Sequence, residues 1–145
     1  MKKSYLSSSV CKSILTMACT VSLLNFSISS ANSQQIIPDG MTDTTLCING
    51  NTTIVSTKTI SGNNAFNSFT KFDVDADKVV NLIVPSCSDN LINNVKGSPS
   101  SINGVLNGFK NGQIGGNVVF LNPYGIMVGA SGVINLSSYT MITPT

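Results

Sequence analysis

The chain has no histidine and no tryptophan, and its 145 residues include no arginine and no glutamate. Each absence closes off a chemistry. Without histidine the commonest general base and metal ligand is gone, and no serine has its usual activating partner. Without arginine there is no planar fork to clamp a phosphate or carboxylate. Charged residues make up only 10% of the chain, well below the roughly one quarter usual in soluble proteins. The net charge of +2 is too small to argue for nucleic acid as a partner. Three of the eight lysines (Lys2, Lys3 and Lys12) lie at the start, so the remainder carries five lysines against six aspartates.

What is present is amide. Asparagine occurs seventeen times, and solubility must come from Asn, Ser and Thr. That composition favours turns and strands over helices. With 41% hydrophobic residues, one domain with a sizeable core is expected. The first residues read differently. Lys2, Lys3 and Lys12 make a positive region, and Ser13 to Leu24 is charge-free and apolar. This segment is shorter than the about 20 residues of a membrane-spanning helix. Small residues at Ser29 and Ala31 follow. Residues 1–31 therefore read as a secretory signal peptide cleaved after Ala31, and residues 32–145 as the exported domain. The alternatives are an uncleaved anchor and a lipid-modified Cys19, although Thr16-Met17-Ala18 is a poor lipidation box. Export leaves Cys47 and Cys87 as an even pair in an oxidising compartment. A bridge between them would stabilise by about 4 kcal/mol on the chain-entropy account. The other reading is two unrelated buried thiols. Two thiols without histidine do not suggest a metal site.

Beyond Asn32 the chain alternates short apolar runs with turn residues. "TTIVST" (52–57), "KVVNLIVP" (78–85), "DNLINNV" (89–95), "SINGVLNG" (101–108), "NVVFL", "GIMVG" and "GVINL" read as strands bounded by Gly, Asn or Pro. In "NAFNSFTKFDVDA" (64–76), Phe72, Val74 and Ala76 alternate with Asp73 and Asp75, a strand with one wet face. Asn49-Gly50, Asn103-Gly104, Asn107-Gly108 and Asn111-Gly112 are hairpin signals. Gly115 to Leu136 contains no charge, and its near-continuous apolar runs suit strands stacked in a coil. In such a coil, asparagines at the corners can stack and satisfy one another. "NPYG" (122–125) matches a type I turn, with Pro123 presetting its φ and Asn122 free to accept from a backbone N–H two residues on. On spacing alone it is a corner that any β protein could contain.

Other chemistry fades on inspection. "DVDADK" (73–78) opens like a calcium loop but has Lys78 and Val84 where Gly and Glu are needed. "GQIGGN" (112–117) lacks the Lys-Ser/Thr of a phosphate loop. No motif supports a Ser–Lys dyad, and the sequons at Asn51 and Asn135 mean little at this Asn and Thr content.

"NVVFLNPYGIMVGASGVINL" resembles the signature of the filamentous-haemagglutinin-type secretion domain, the N-terminal module of two-partner secretion exoproteins. "NAFNSFTKFDVDADKVVNLIVP" and "LINNVKGSPSSINGVL" are similar to two further segments of that family, in the same order. The likeness covers roughly residues 34 to 142. It implies an all-β fold, a right-handed parallel β-helix with an N-terminal cap and some extra-helical hairpin strands. It implies a transporter-recognition or turn motif at Asn122, Pro123, Tyr124, Gly125 and Ile126, where Tyr124 departs from the commoner Asn and puts any side-chain ladder there in doubt. The family's second turn motif, Asn-Pro-Asn-Leu, has no clear match, so recognition is expected to draw on other surface residues. The implied partner is an outer-membrane β-barrel transporter with periplasmic repeat domains. The implied location is the cell surface or the medium, reached through the periplasm of a Gram-negative type of envelope. No enzyme activity, cofactor, metal or nucleic acid is implied. The expected whole is an adhesin meeting a host or bacterial surface through a downstream region. A toxin with the same head, or a stand-alone envelope β protein, are the alternatives. A last rung with an open edge also suggests a fragment of a longer product.

Overall fold

The computed structural model describes residues 35–145; the signal-peptide reading falls outside them. No helix occurs among the described residues. The chain instead winds in three-sided rungs, each side a short strand stacked in parallel on the one before. One side stacks β3 (Thr52–Thr57), β6 (Val79–Val84), β9 (Val105–Lys110) and β13 (Val133–Asn135). The next stacks β5 (Asn64–Phe72), β7 (Asn90–Val95), β11 (Asn117–Leu121) and β14 (Ser138–Ile142). The third stacks Val74, β8 (Ser100–Ile102) and β12 (Ile126–Val128). This is a parallel β-helix. A rung takes 26 to 28 residues, as Asn64 faces Asn90 and Val105 faces Val133, but only 21 at the last step on the β5 side, where Asn117 faces Ser138.

Four strands lie outside this coil. β1 (Ile36–Pro38) pairs antiparallel with β5, and β2 (Thr44–Asn49) with β3, so both edges of the first rung are covered. An uncovered edge would offer unpaired backbone to another chain. β4 (Ile60–Ser61) and β10 (Gln113–Ile114) form small hairpins on β5 and β9. Asp39 fastens the cap. Its carboxylate accepts from Ser68 Oγ at 2.6 Å and from the Met41 N–H at 2.9 Å, and Lys96 of the second rung stands 3.5 Å away.

Two of the four Asn-Gly signals fall at hairpins: Asn111-Gly112 is the loop joining β9 to β10, whereas Asn49 is the last paired residue of β2 and the loop to β3 is Gly50-Asn51, one residue on. Asn103-Gly104 is instead a corner between β8 and β9. There the Gly104 Cα lies against the carbonyls of Asp75 and Lys78, leaving no room for a Cβ. Asn107-Gly108 lies inside β9, where Leu136 of the next rung presses on Gly108. The alternation after Phe72 also ends early. Phe72 and Val74 are buried, but Ala76 sits exposed in a turn, because the chain must round a corner to enter β6.

Alternation places Val55, Val80, Leu82, Leu106, Leu91 and Val118 inside. Aromatic rings run through this core edge-to-face: Phe69 to Phe72 at 5.1 Å, Phe72 to Phe120 at 5.0 Å, and Phe120 to Tyr139 at 5.9 Å between centroids. One inward column is polar. Thr44 Oγ1 donates to Asn67 Oδ1 at 2.8 Å, Asn67 Nδ2 to Asn93 Oδ1 at 3.0 Å, and Asn93 Nδ2 to the Val119 carbonyl at 3.4 Å. Outside, Asn64, Asn90 and Asn117 form a second ladder, and Asn81, Asn107 and Asn135 a third. Amides thus satisfy amides between rungs, mostly along strands and less at corners.

Candidate functional site

The Asn122–Gly125 turn makes the corner between β11 and β12. Asn122 is fully buried, and all of its polar groups are engaged. Its Oδ1 accepts from the Tyr124 N–H at 2.9 Å, and its backbone carbonyl accepts from the Gly125 N–H at 3.1 Å. Its Nδ2 donates to the Ser98 carbonyl and to Ser100 Oγ, each at 3.0 Å. Its own N–H donates to the Ile142 carbonyl of the last rung at 3.0 Å. The residue therefore closes its own turn and ties three successive rungs. Tyr124 keeps a negative φ, which excludes a type II turn and leaves type I as expected. Gly125 has φ 102°, a conformation that disfavours any side chain although the space around it is open.

The five motif residues do not form one surface. Asn122 faces inward, while Pro123 and Tyr124 are exposed and Ile126 packs half-buried on the core. Because the Tyr124 ring points to solvent, this departure from the common asparagine costs the corner nothing: its structural bond comes from the backbone N–H. Beside the corner runs a groove of about 340 Å³, lined by Pro99, Ser101, Tyr124, Met127 and Asp73 among others. Its acidic end is largely satisfied. Asp73 accepts from the Ser101 N–H at 2.8 Å and pairs with Lys71 at 3.3 Å. Tyr124 and Met127 give the rim an exposed apolar character, at 57% and 65% exposure.

Sequence reasoning missed Ser98 and Ser100, the partners of Asn122. They stand 24 and 22 residues earlier, a separation that acquires meaning only once the rung length is known. Cys47 lies half-buried in β2 and Cys87 exposed in the turn after β6; both are disulfide-bonded, and no free thiol is present among the described residues.

A capped coil of parallel three-sided rungs, closed at one corner by a buried asparagine, places the molecule among the β-solenoids. The chain belongs to the TPS secretion domain family, whose model matches residues 34–144. It is accordingly a secretion module of a two-partner secretion exoprotein, a class of Gram-negative secreted proteins that works with a transporter partner. Neither a curated protein nor a solved structure matches it.

Proposed function

We propose that this module is recognised by periplasmic repeat domains of an outer-membrane barrel, and that it heads a non-enzymatic cell-surface adhesin and starts its folding outside the cell. The observation that carries this reading is the capped first rung: it gives the coil a closed end and one end on which further strands can stack. Each rung then forms on a finished neighbour, as in other solenoids. Folding outside the cell supplies direction without nucleotide hydrolysis. The Asn122 corner supports the reading, since it holds the third rung to the second and the fourth. The exposed Pro123 and Tyr124 with the adjoining groove are the surface proposed to meet the transporter. A toxin using the same head remains the second reading. The match to the secretion family favours both equally.

The test replaces Asn122 and Pro123 together in a strain carrying the transporter. The variant is expected to reach the periplasm with its leader removed and to stop there. Normal release into the medium would count against the proposal. The Cys47–Cys87 link is likewise a proposal, decided by non-reducing peptide mapping: one linked peptide pair carrying both cysteines is the expected result.

A further inference from the structure

We infer that Asn111-Gly112 is a site of spontaneous covalent modification, where the folded chain deamidates ahead of its other Asn-Gly pairs. The reaction needs no enzyme. The Gly112 backbone nitrogen loses its proton and attacks Asn111 Cγ. The bond from Cγ to Nδ2 breaks, and ammonia leaves with the proton. The five-membered imide then takes up one water at either carbonyl and opens to aspartate or isoaspartate. The net change is amide plus water to acid plus ammonia, with no oxidation. It requires an asparagine side chain free to turn, a following nitrogen that is unshielded and unbonded, and a backbone that can rotate. Glycine supplies the unshielded nitrogen at all four pairs.

The fold separates these four. At Asn103, Nδ2 donates to Ser101 Oγ at 2.9 Å, and the attacking nitrogen, that of Gly104, is already donating to the Val74 carbonyl at 3.0 Å. At Asn107 both ends of the amide are in the outer ladder, donating to Asn81 at 2.9 Å and accepting from Asn135 at 2.8 Å, and Gly108 lies buried within β9. Asn49 and Asn111 are exposed, and among the described residues neither side chain is held by a hydrogen bond. They differ in what must open. Asn49 ends a hairpin of six paired positions that caps the first rung. Asn111 ends a hairpin of two, Gln113 to Lys110 and Ile114 to Phe109, whose β10 strand is wholly exposed. In the closed turn Asn111 and Gly112 both have positive φ, 54° and 77°, so attack waits on local opening, and the shorter hairpin opens more often. The order of reaction is therefore Asn111, then Asn49, with Asn103 and Asn107 protected.

The two products act differently. Aspartate tolerates the left-handed conformation and leaves the hairpin intact. Isoaspartate lengthens the main chain by one carbon inside a two-residue loop, which cannot keep the register of β9 with β10. The segment leaving that hairpin accepts from the last rung, where the Ser138 N–H meets the Gly116 carbonyl at 3.4 Å, so the start of β14 loosens with it.

The test incubates the purified folded chain in mildly alkaline buffer and follows each pair by peptide mass mapping, with a parallel sample kept unfolded in denaturant. In denaturant all four pairs should react at similar rates. In the folded sample Asn111 should react at least about tenfold faster than Asn103 and Asn107, since local opening governs access. Asn111→Gly, which keeps the positive φ, should abolish isoaspartate at this turn. The inference fails if folded Asn111 reacts no faster than any one of Asn49, Asn103 and Asn107, or if the isoaspartate persists in Asn111→Gly.

Discussion

At the scale of single residues, the fold is governed by polar groups that are buried and satisfied, and by three among the described residues that are not, the hydroxyls of Ser88, Ser98 and Tyr139. Asn122 is the satisfied case. In Asn122→Ala the Ser98 carbonyl loses its donor and the Tyr124 N–H its acceptor, and the expected loss is about 2–3 kcal/mol. Asn122→Asp should be worse, since it turns a double donor into a buried negative group facing the Ser98 carbonyl. Chemical denaturation of the two variants checks both. Tyr124→Asn, on the exposed arm of the same turn, is expected to change stability by less than about 0.5 kcal/mol. Tyr139 is the unsatisfied case that titrates. Its hydroxyl is buried without a partner among the described residues, and burial pushes its pKa up to about 12 from 10.0. The folded state thus holds the phenol proton more tightly than the unfolded chain. Its contribution is complete below about pH 10 and declines as the pH rises toward 12. Tyr139→Phe should flatten that alkaline decline. Because it removes a hydroxyl that nothing satisfies, it should not lower stability at neutral pH. Thermal melts across pH 8 to 12, on a grid of about one unit, read both effects.

At the scale of elements, ladders join strands that are far apart in sequence. In the inner ladder, Asn93→Val strands Asn67 Nδ2 without its acceptor and should cost about 2 kcal/mol. Removing Asn67 as well takes away the stranded group, so the double variant should lose less than the sum of the singles in a denaturation cycle. The cap responds to acid. Burial pushes the Asp39 carboxyl up, but the Ser68 and Met41 hydrogen bonds and the Lys96 ammonium outweigh it, so the group titrates below 3.8. A depressed carboxylate stabilises above its unfolded value and stops doing so as the pH falls through its folded value. β1 should therefore detach first in acid. A fall in the hydrogen-exchange protection of Ile36 and Ile37 relative to the intrinsic rate at each pH, with little such fall in Asp39→Asn, is the expected result.

The same elements show what was legible in the sequence. β3, β6 and β11 could be bounded closely because β-branched and apolar runs meet Asn51 before β3, Pro85 after β6, and Gly116 and Asn122 on either side of β11. The corner at Asn122 was legible for a similar reason, since Pro at the second position and Gly at the fourth act locally. Asn103-Gly104 misled because a dipeptide specifies a turn, whereas antiparallel return or onward coiling depends on which strand lies beyond it. The partners of Asn122 were hidden in the same way. Ser98 and Ser100 are ordinary loop residues until the 26-residue rung brings them beneath the amide. That period was present in the chain, in Asn64, Asn90 and Asn117 and in Asn81 and Asn107, but only the register turns those spacings into contacts.

At the scale of the whole molecule, the coil behaves as a one-dimensional stack whose two ends differ. β3 lies between β2 and β6, and β5 between β1 and β7, so the first rung is paired on both sides. β12, β13 and β14 each pair on one side only, with β8, β9 and β11. Their apolar side chains reflect this: Val128 and Met141 are 40% and 38% exposed, whereas the residues they stack on in the rung before, Ile102 and Phe120, are sealed. In a stack, stability is the sum of the rungs and the interfaces between neighbours, so a rung with one interface opens at lower cost than a rung with two. Native-state hydrogen exchange should therefore show a gradient. Residues 65–69, 80–84 and 91–95 should be protected to near the global limit, and 126–128, 133–135 and 138–142 should exchange through partial opening. A cavity in the middle should expose the coupling. Phe120→Ala removes the ring between Phe72 and Tyr139 and should cost about 3–5 kcal/mol. If the rungs are coupled only to their neighbours, that loss should appear in β11 and β14 while β2 and β3 keep their protection. A uniform fall in protection along the chain would show instead that the molecule opens all at once, and the rung-by-rung account of its folding outside the cell would lose its physical basis.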